Sequence, residues 1–251
     1  MSMNSDVLYR KTALAFAVVY AVACAPAGKD KTARGEPAAS RLAVATAPIP
    51  GAPTSASGPT VLFIGTSLTA GYGLEPDQAF PILIEQKADS AGIPIHAINA
   101  GVSGETSAGA LHRIDWVLRS PADVVVIETG ANDALRALPV AAARANISAI
   151  LDRTRTAKPH AKIFLVQMEA PPNLGADYTS SFHDMYADLA RDKGITLIPF
   201  LLQGVAGNPN LNQGDGVHPN ATGEKIVAEN VWESLEPTLR AAPRARLSAT
   251  S

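Results

Sequence analysis

A serine, an aspartate and a histidine can together cleave an acyl bond, and this chain carries such a set at widely separated positions. Ser67 follows the apolar run Thr60-Val61-Leu62-Phe63-Ile64 through Gly65-Thr66. A serine hydroxyl is a weak nucleophile until a hydrogen-bonded imidazole takes its proton. Asp215 and His218 stand three apart in Gly214-Asp215-Gly216-Val217-His218-Pro219-Asn220, just ahead of a helical pattern. That spacing lets the carboxylate reach imidazole Nδ1, fix the tautomer and leave Nε2 for a serine hydroxyl. Of the five histidines, His218 alone has this setting. Taken singly each feature has a plainer reading: a serine after a strand is a common helix cap, and Asp-x-x-His makes a turn.

Other chemistries lack their residues. Gly65, Gly71 and Gly73 do not form a dinucleotide-binding GxGxxG, and no Gly-Lys-Ser/Thr follows. Thr69 stands where a G-x-S-x-G elbow needs its second glycine. A single cysteine, Cys24, excludes an internal disulfide framework and a cysteine-based metal site. The balance of 21 Lys and Arg against 23 Asp and Glu, a net charge of −2, does not suggest the basic stripe of a nucleic-acid binder. No metal or organic cofactor is implied.

The elements that must position these residues alternate. Val61 to Ile64 reads as a buried parallel strand whose C-terminal end presents Ser67, the edge at which open α/β sheets hold ligands. A helix is expected from Asp77 to Ser90, with Pro81 kinking or delaying it, then a strand over Ile93–Asn99 and a helix from Thr106 or Ser107 to Ser120. Asp123–Thr129, continuous in Val and Ile, reads as a central strand ending in Gly130-Ala131-Asn132-Asp133. Pro139 opens the next helix, to Lys158; strands over Lys162–Gln167 and Ile195–Phe200 flank a helix over Tyr178–Lys193, and a last helix runs from Pro219 to Leu239. This βα alternation predicts a three-layer α/β/α sandwich on a five-stranded parallel sheet. In such a sheet Ser67, Gly101, Asn132 and the final loop share one edge.

The first third has another character. Residues 1–27 carry Arg10 and Lys11, an apolar run of about 11 residues and Ala21-Val22-Ala23-Cys24, which together read as a signal peptide. The run is far short of the roughly 20 residues that span a bilayer. Ala-x-Ala before a lone cysteine also resembles a bacterial lipoprotein signal, in which Cys24 would be lipidated; ordinary cleavage after Ala23 or Ala27 is the other route. Either predicts an exported chain, periplasmic, secreted or anchored to a membrane through Cys24. Residues 28–58, rich in Ala, Pro, Ser and Thr, read as a disordered tether, 59–240 as the folded domain and 241–251 as a disordered tail.

Four stretches in order resemble the SGNH or GDSL hydrolases: Gly65-Thr66-Ser67-Leu68, Asn99-Ala100-Gly101-Val102-Ser103-Gly104, Gly130-Ala131-Asn132-Asp133, and Asp215-Gly216-Val217-His218-Pro219-Asn220. Leu68 to Leu74 and Gly130 to Arg136 are similar to the extended motifs of the secreted arylesterase, thioesterase and lysophospholipase branch. The resemblance implies the flavodoxin-like SGNH fold, Ser67 as nucleophile, Asp215 as orienting acid and His218 as base. It implies an oxyanion hole of the Ser67 and Gly101 N–H groups with the Asn132 amide. Thr66 departs from it, standing where the family has an aspartate that helps hold the active-site loops.

The expected activity is hydrolysis of carboxylic esters, aryl or short- to medium-chain acyl, extending to lysophospholipids and acyl thioesters, by a monomer acting on small-molecule or lipid substrates. Leu68, Leu74, Leu135, Met168 and Pro171, with Leu138 and the loop to Leu174, are the residues expected to line an acyl groove. Two alternatives stay open: a carbohydrate acetyl esterase with the same triad, and a non-catalytic envelope lipoprotein that binds acyl chains or glycans.

Overall fold

A computed structural model describes residues 58–242. The proposed signal peptide, Cys24, the tether up to residue 57 and the tail beyond residue 242 lie outside the described residues. Five parallel strands, β1 (Thr60–Gly65), β2 (His96–Gly101), β3 (Val124–Ile127), β4 (Lys162–Val166) and β5 (Thr196–Ile198), form one sheet in the order β2-β1-β3-β4-β5. Val61 to Ile64 and all of β3 are buried, because these central strands are covered on both faces. Helices α3 (Ser107–Val117), α5 (Val140–Ala157) and α6 (Ala176–Lys193) pack side by side, as do α2 (Phe80–Ser90) and α7 (Ala221–Ala241). The three-layer expectation holds.

The strand order turns around at β1, whose neighbours are β2 on one side and β3 on the other. Chains leaving β1 and β3 therefore flank a crevice at the C-terminal edge of the sheet. Two short helices sit there that the hydrophobic period did not announce: α1 (Ser67–Ala70) and α4 (Ala131–Leu135).

Several boundaries differ from expectation for local reasons. β2 begins at His96 rather than Ile93, since its ladder starts only where Thr60 supplies a partner. Asp77 falls in a 3₁₀ turn (Pro76–Gln78), and Pro81 sits in the first turn of α2, where a missing N–H costs nothing. Pro139 caps α5 rather than opening it, and Asn220 caps α7 by accepting from the Thr222 and Gly223 N–H groups. β5 is only three residues long and pairs with β4 alone.

Candidate active site

Ser67 is the first residue of α1, directly after β1, so its amide has no helical acceptor, and none is found among the described residues. Thr66 caps this turn, its hydroxyl accepting from Leu68 N–H at 3.4 Å. The cap is fixed from below by Glu128, at the end of β3. The Glu128 carboxyl takes Thr66 N–H at 2.8 Å, the Thr66 hydroxyl at 2.9 and 3.0 Å, and the Thr69 hydroxyl at 3.0 Å. Glu128 is fully buried, and burial raises its pKa against the lowering effect of its bonds to Thr66 and Thr69. Thr66 therefore does not leave the turn unsupported: its backbone and side chain both end on one carboxyl.

The final loop brings His218 to the serine. Asn212 and Pro219 form an isolated antiparallel bridge, and Gln213 N–H donates to His218 O at 2.7 Å, so the segment folds back on itself. Gln213 Nε2 donates to Tyr72 O at 2.7 Å, tying this loop to the chain just after α1. His218 Nε2 lies 2.9 Å from Ser67 Oγ, and His218 Nδ1 lies 2.6 Å from Asp215 Oδ2. Asp215 Oδ1 accepts from the Val217 and His218 N–H groups at 2.9 and 3.0 Å. The His218 amide, then the imidazole and the Val217 amide, hold the Asp215 carboxyl down at about 2, so it stays charged at any ordinary pH. The Tyr72 ring lies 4.7 Å from the imidazole, centroid to centroid.

Asn132 enters from α4. Its Nδ2 donates to Glu105 O at 3.0 Å, which orients the amide and leaves its second N–H uncommitted. Glu105 is held by Arg113, whose Nε and Nη2 each donate to its carboxylate at 2.7 Å. The same Nη2 reaches Ala100 O at 2.8 Å and Gly65 O at 3.3 Å, so one guanidinium joins the ends of β1 and β2 to the Glu105 loop. Gly130, at φ 103°, starts the Asn132 turn; a side chain there would collide with the Tyr186 hydroxyl, which donates to Thr129 O at 2.7 Å.

The expectation for Gly101 needs correction. Its N–H donates to Asn99 Oδ1 at 2.9 Å, and it is not part of the cavity wall. It is glycine because an added Cβ would run into Ala70 N and Thr66 O, where the end of β2 packs on α1. The residues after β2 that face the cavity are Ser103 and Gly104, and the Gly104 N–H has no acceptor among the described residues.

Ser67, His218, Asp215, Gly104 and Asn132 all open onto one cavity of about 630 Å³. Leu68, Leu135, Met168 and Pro171 line it as expected; Leu74, Leu138 and Leu174 do not. Leu74 follows Gly71 and Gly73, both at positive φ, and of this stretch Tyr72 lines the wall while Leu74 does not. Sequence reasoning missed Tyr72, Glu169, Phe200 and Leu202 in the wall, and Glu105, Arg113 and Glu128 behind it. For Glu128 a signal existed: a carboxylate directly after Val124-Val125-Val126-Ile127 is out of place unless something inside needs it.

The chain matches the family model described as GDSL-like Lipase/Acylhydrolase family over residues 63–226. It is 36% identical to Esterase TesA of Pseudomonas aeruginosa over 73% of this chain and 91% of that protein. It is 32% identical to Thioesterase 1/protease 1/lysophospholipase L1 of Escherichia coli over 73% of this chain and 86% of that protein. Among solved structures it resembles the psychrotrophic esterase EstA from Pseudoalteromonas sp., inhibited by monoethylphosphonate, with a TM-score of 0.68 and 34% identity over 72% of this chain and 98% of that one.

Proposed function

Since this chain belongs to the GDSL-like Lipase/Acylhydrolase family and is an esterase, we propose that it cleaves carboxylic esters through Ser67, His218 and Asp215 by way of an acyl-enzyme. The observation that carries this reading is the continuous line Asp215 Oδ2, His218 Nδ1, His218 Nε2, Ser67 Oγ, with spacings of 2.6 and 2.9 Å. His218 Nε2 removes the hydroxyl proton as Ser67 Oγ attacks the carbonyl carbon, then returns it to the departing alkoxide. Water enters, gives a proton to the same nitrogen, and attacks the acyl-enzyme to release the acid and regenerate Ser67. Asp215 keeps its charge throughout, holding the imidazole and offsetting the imidazolium.

The oxyanion of each tetrahedral intermediate is assigned to the Ser67 and Gly104 N–H groups and the free Asn132 N–H. What supports this is that all three residues line the cavity beside Ser67 Oγ and that neither backbone N–H is spent elsewhere among the described residues. Donors fixed in advance reorganise little when charge develops, and that is the source of their effect.

The mostly apolar wall of Leu68, Leu135, Met168 and Leu202 supports aryl and short- to medium-chain acyl esters, with acyl thioesters and lysophospholipids as extensions. The basic, apolar and small-residue succession in residues 1–27 supports an exported enzyme, periplasmic or tethered through Cys24. No helix among the described residues is long and apolar enough to cross a membrane.

Hydrolysis of p-nitrophenyl esters with acyl chains of two to sixteen carbons tests the reading, alongside Asn132→Ala. The substitution is expected to lower kcat by about 10² to 10³ with a much smaller change in KM, because its amide acts on the transition state. An equal rise in KM at unchanged kcat would show that Asn132 only binds substrate. Preference for acetyl esters of glycans over longer acyl chains would select the carbohydrate esterase instead.

A further inference from the structure

We infer that Glu169 makes this esterase selective for esters carrying a positive charge, a reading that rests on the ester hydrolysis proposed above. The cavity wall contains two carboxylates, Asp215 and Glu169, and no lysine or arginine. Asp215 is spent: both of its oxygens are bonded within the His218 loop. Glu169 is not. Gln167 Nε2 and His183 Nδ1 both lie 2.7 Å from its Oε1, whereas Oε2 has no partner among the described residues. These two contacts hold the carboxylate in place at the cavity wall and leave its second oxygen unpaired among the described residues.

The surroundings suit a cation. Tyr72 and Phe200 line the same cavity, and aromatic faces attract ammonium groups that have shed part of their water. Most of the remaining wall is apolar, while the Glu169 side chain stays 31% exposed, so its pull on a cation acts through partial screening by water. Arg136, which donates to Gly104 O at 2.8 Å, is not itself part of the cavity wall. An anionic ester would meet Glu169 with no lysine or arginine in the wall to pair with, and specificity of this kind arises as much from rejection as from attraction.

The test uses isosteric pairs differing only in charge. Choline butyrate is compared with 3,3-dimethylbutyl butyrate, which places the charge in the alcohol. The p-nitrophenyl ester of 4-(trimethylammonio)butyrate is compared with that of 5,5-dimethylhexanoate, which places it in the acyl chain. The quantity read is the cationic-to-neutral ratio of kcat/KM within each variant, so that any loss common to both substrates cancels. Wild type should favour the cation in at least one pair, and Glu169→Gln should lower that ratio about tenfold, with Glu169→Lys lowering it further. The wild-type preference should also shrink as ionic strength rises. Thermal unfolding of each variant confirms that it is folded. Turnover of all four esters with ratios unmoved by either substitution would overturn the role of Glu169 while leaving the esterase reading intact. Absence of turnover of any ester by wild type would overturn both.

Discussion

Replacing His218 with alanine is expected to reduce kcat for an aryl ester by about 10⁶, as much as Ser67→Ala, with the double variant no slower than either single one. The reason is geometric. Among the described residues Ser67 Oγ has one hydrogen-bonded base, His218 Nε2 at 2.9 Å, and that nitrogen carries each proton transfer of the proposed cycle. Removing either partner ends nucleophilic attack, so the second removal has nothing left to take away. Activity that remains should come from donors that still stabilise an attacking water's oxyanion. Steady-state hydrolysis of p-nitrophenyl butyrate by the three variants checks this. Additive losses in the double variant would mean that the two residues act in separate steps. Because Asp215 stays ionised down to about pH 2, mild acidification should not remove the charge that orients the imidazole.

The second large effect concerns stability. Glu224, in the first turn of α7, is buried and accepts Phe80 N–H at 2.9 Å, joining the start of α7 to the start of α2. Burial raises its carboxyl from an ordinary 4.5 to about 8; the Phe80 amide opposes this, and the nearby Glu128 adds to it. A carboxyl with a raised folded-state pKa keeps its proton in the native protein where the unfolded chain has lost it. Its contribution to stability is therefore complete below about pH 4.5 and is lost as pH rises to about 8. At about 1.4 kcal/mol for each pH unit, the whole loss amounts to several kcal/mol. Glu224→Gln keeps an oxygen for Phe80 N–H and carries no ionisable group, so it should remove this slope and leave the variant more stable than wild type at pH 8. Urea unfolding at pH 5 and pH 8 measures both. Equal slopes in the two proteins would place the ionisation elsewhere.

Much of the architecture can be read from the chain because its causes are local. Uninterrupted runs such as Val124 to Ile127 suit only a strand covered on both faces, and the runs of β1 and β3 are followed at the same edge by Gly65 and Gly130. The meeting of Ser67, His218 and Asp215 was equally open, since Asp215 and His218 need only a short turn to meet and the strand after which Ser67 falls fixes where they must go. What escaped depends on contacts between distant segments. Gly101 ends the second strand and Gly104 follows it, and only the folding back of the Asn99 side chain decides which of the two keeps an unspent N–H. The departure at Thr66 looks like a defect until Glu128, 62 positions away, is seen beneath it. Glu105 and Arg113 escaped for a similar reason: as an eight-residue pair on a helix start they resemble surface charges, and their reach to the ends of two strands exists only in the assembled sheet.

The central claim is that Ser67 is the nucleophile, and trapping tests it most directly. Diethyl p-nitrophenyl phosphate transfers its phosphoryl group to an activated serine and releases p-nitrophenolate, leaving an ester that water removes slowly. Intact mass and peptide mapping after incubation should show one diethylphosphoryl group per chain, on Ser67, with parallel loss of ester hydrolysis. Ser67→Ala should take up none, and His218→Ala should react far more slowly. A protein that hydrolyses p-nitrophenyl butyrate yet carries its adduct on another residue, or keeps full hydrolysis with Ser67 modified, would contradict the account.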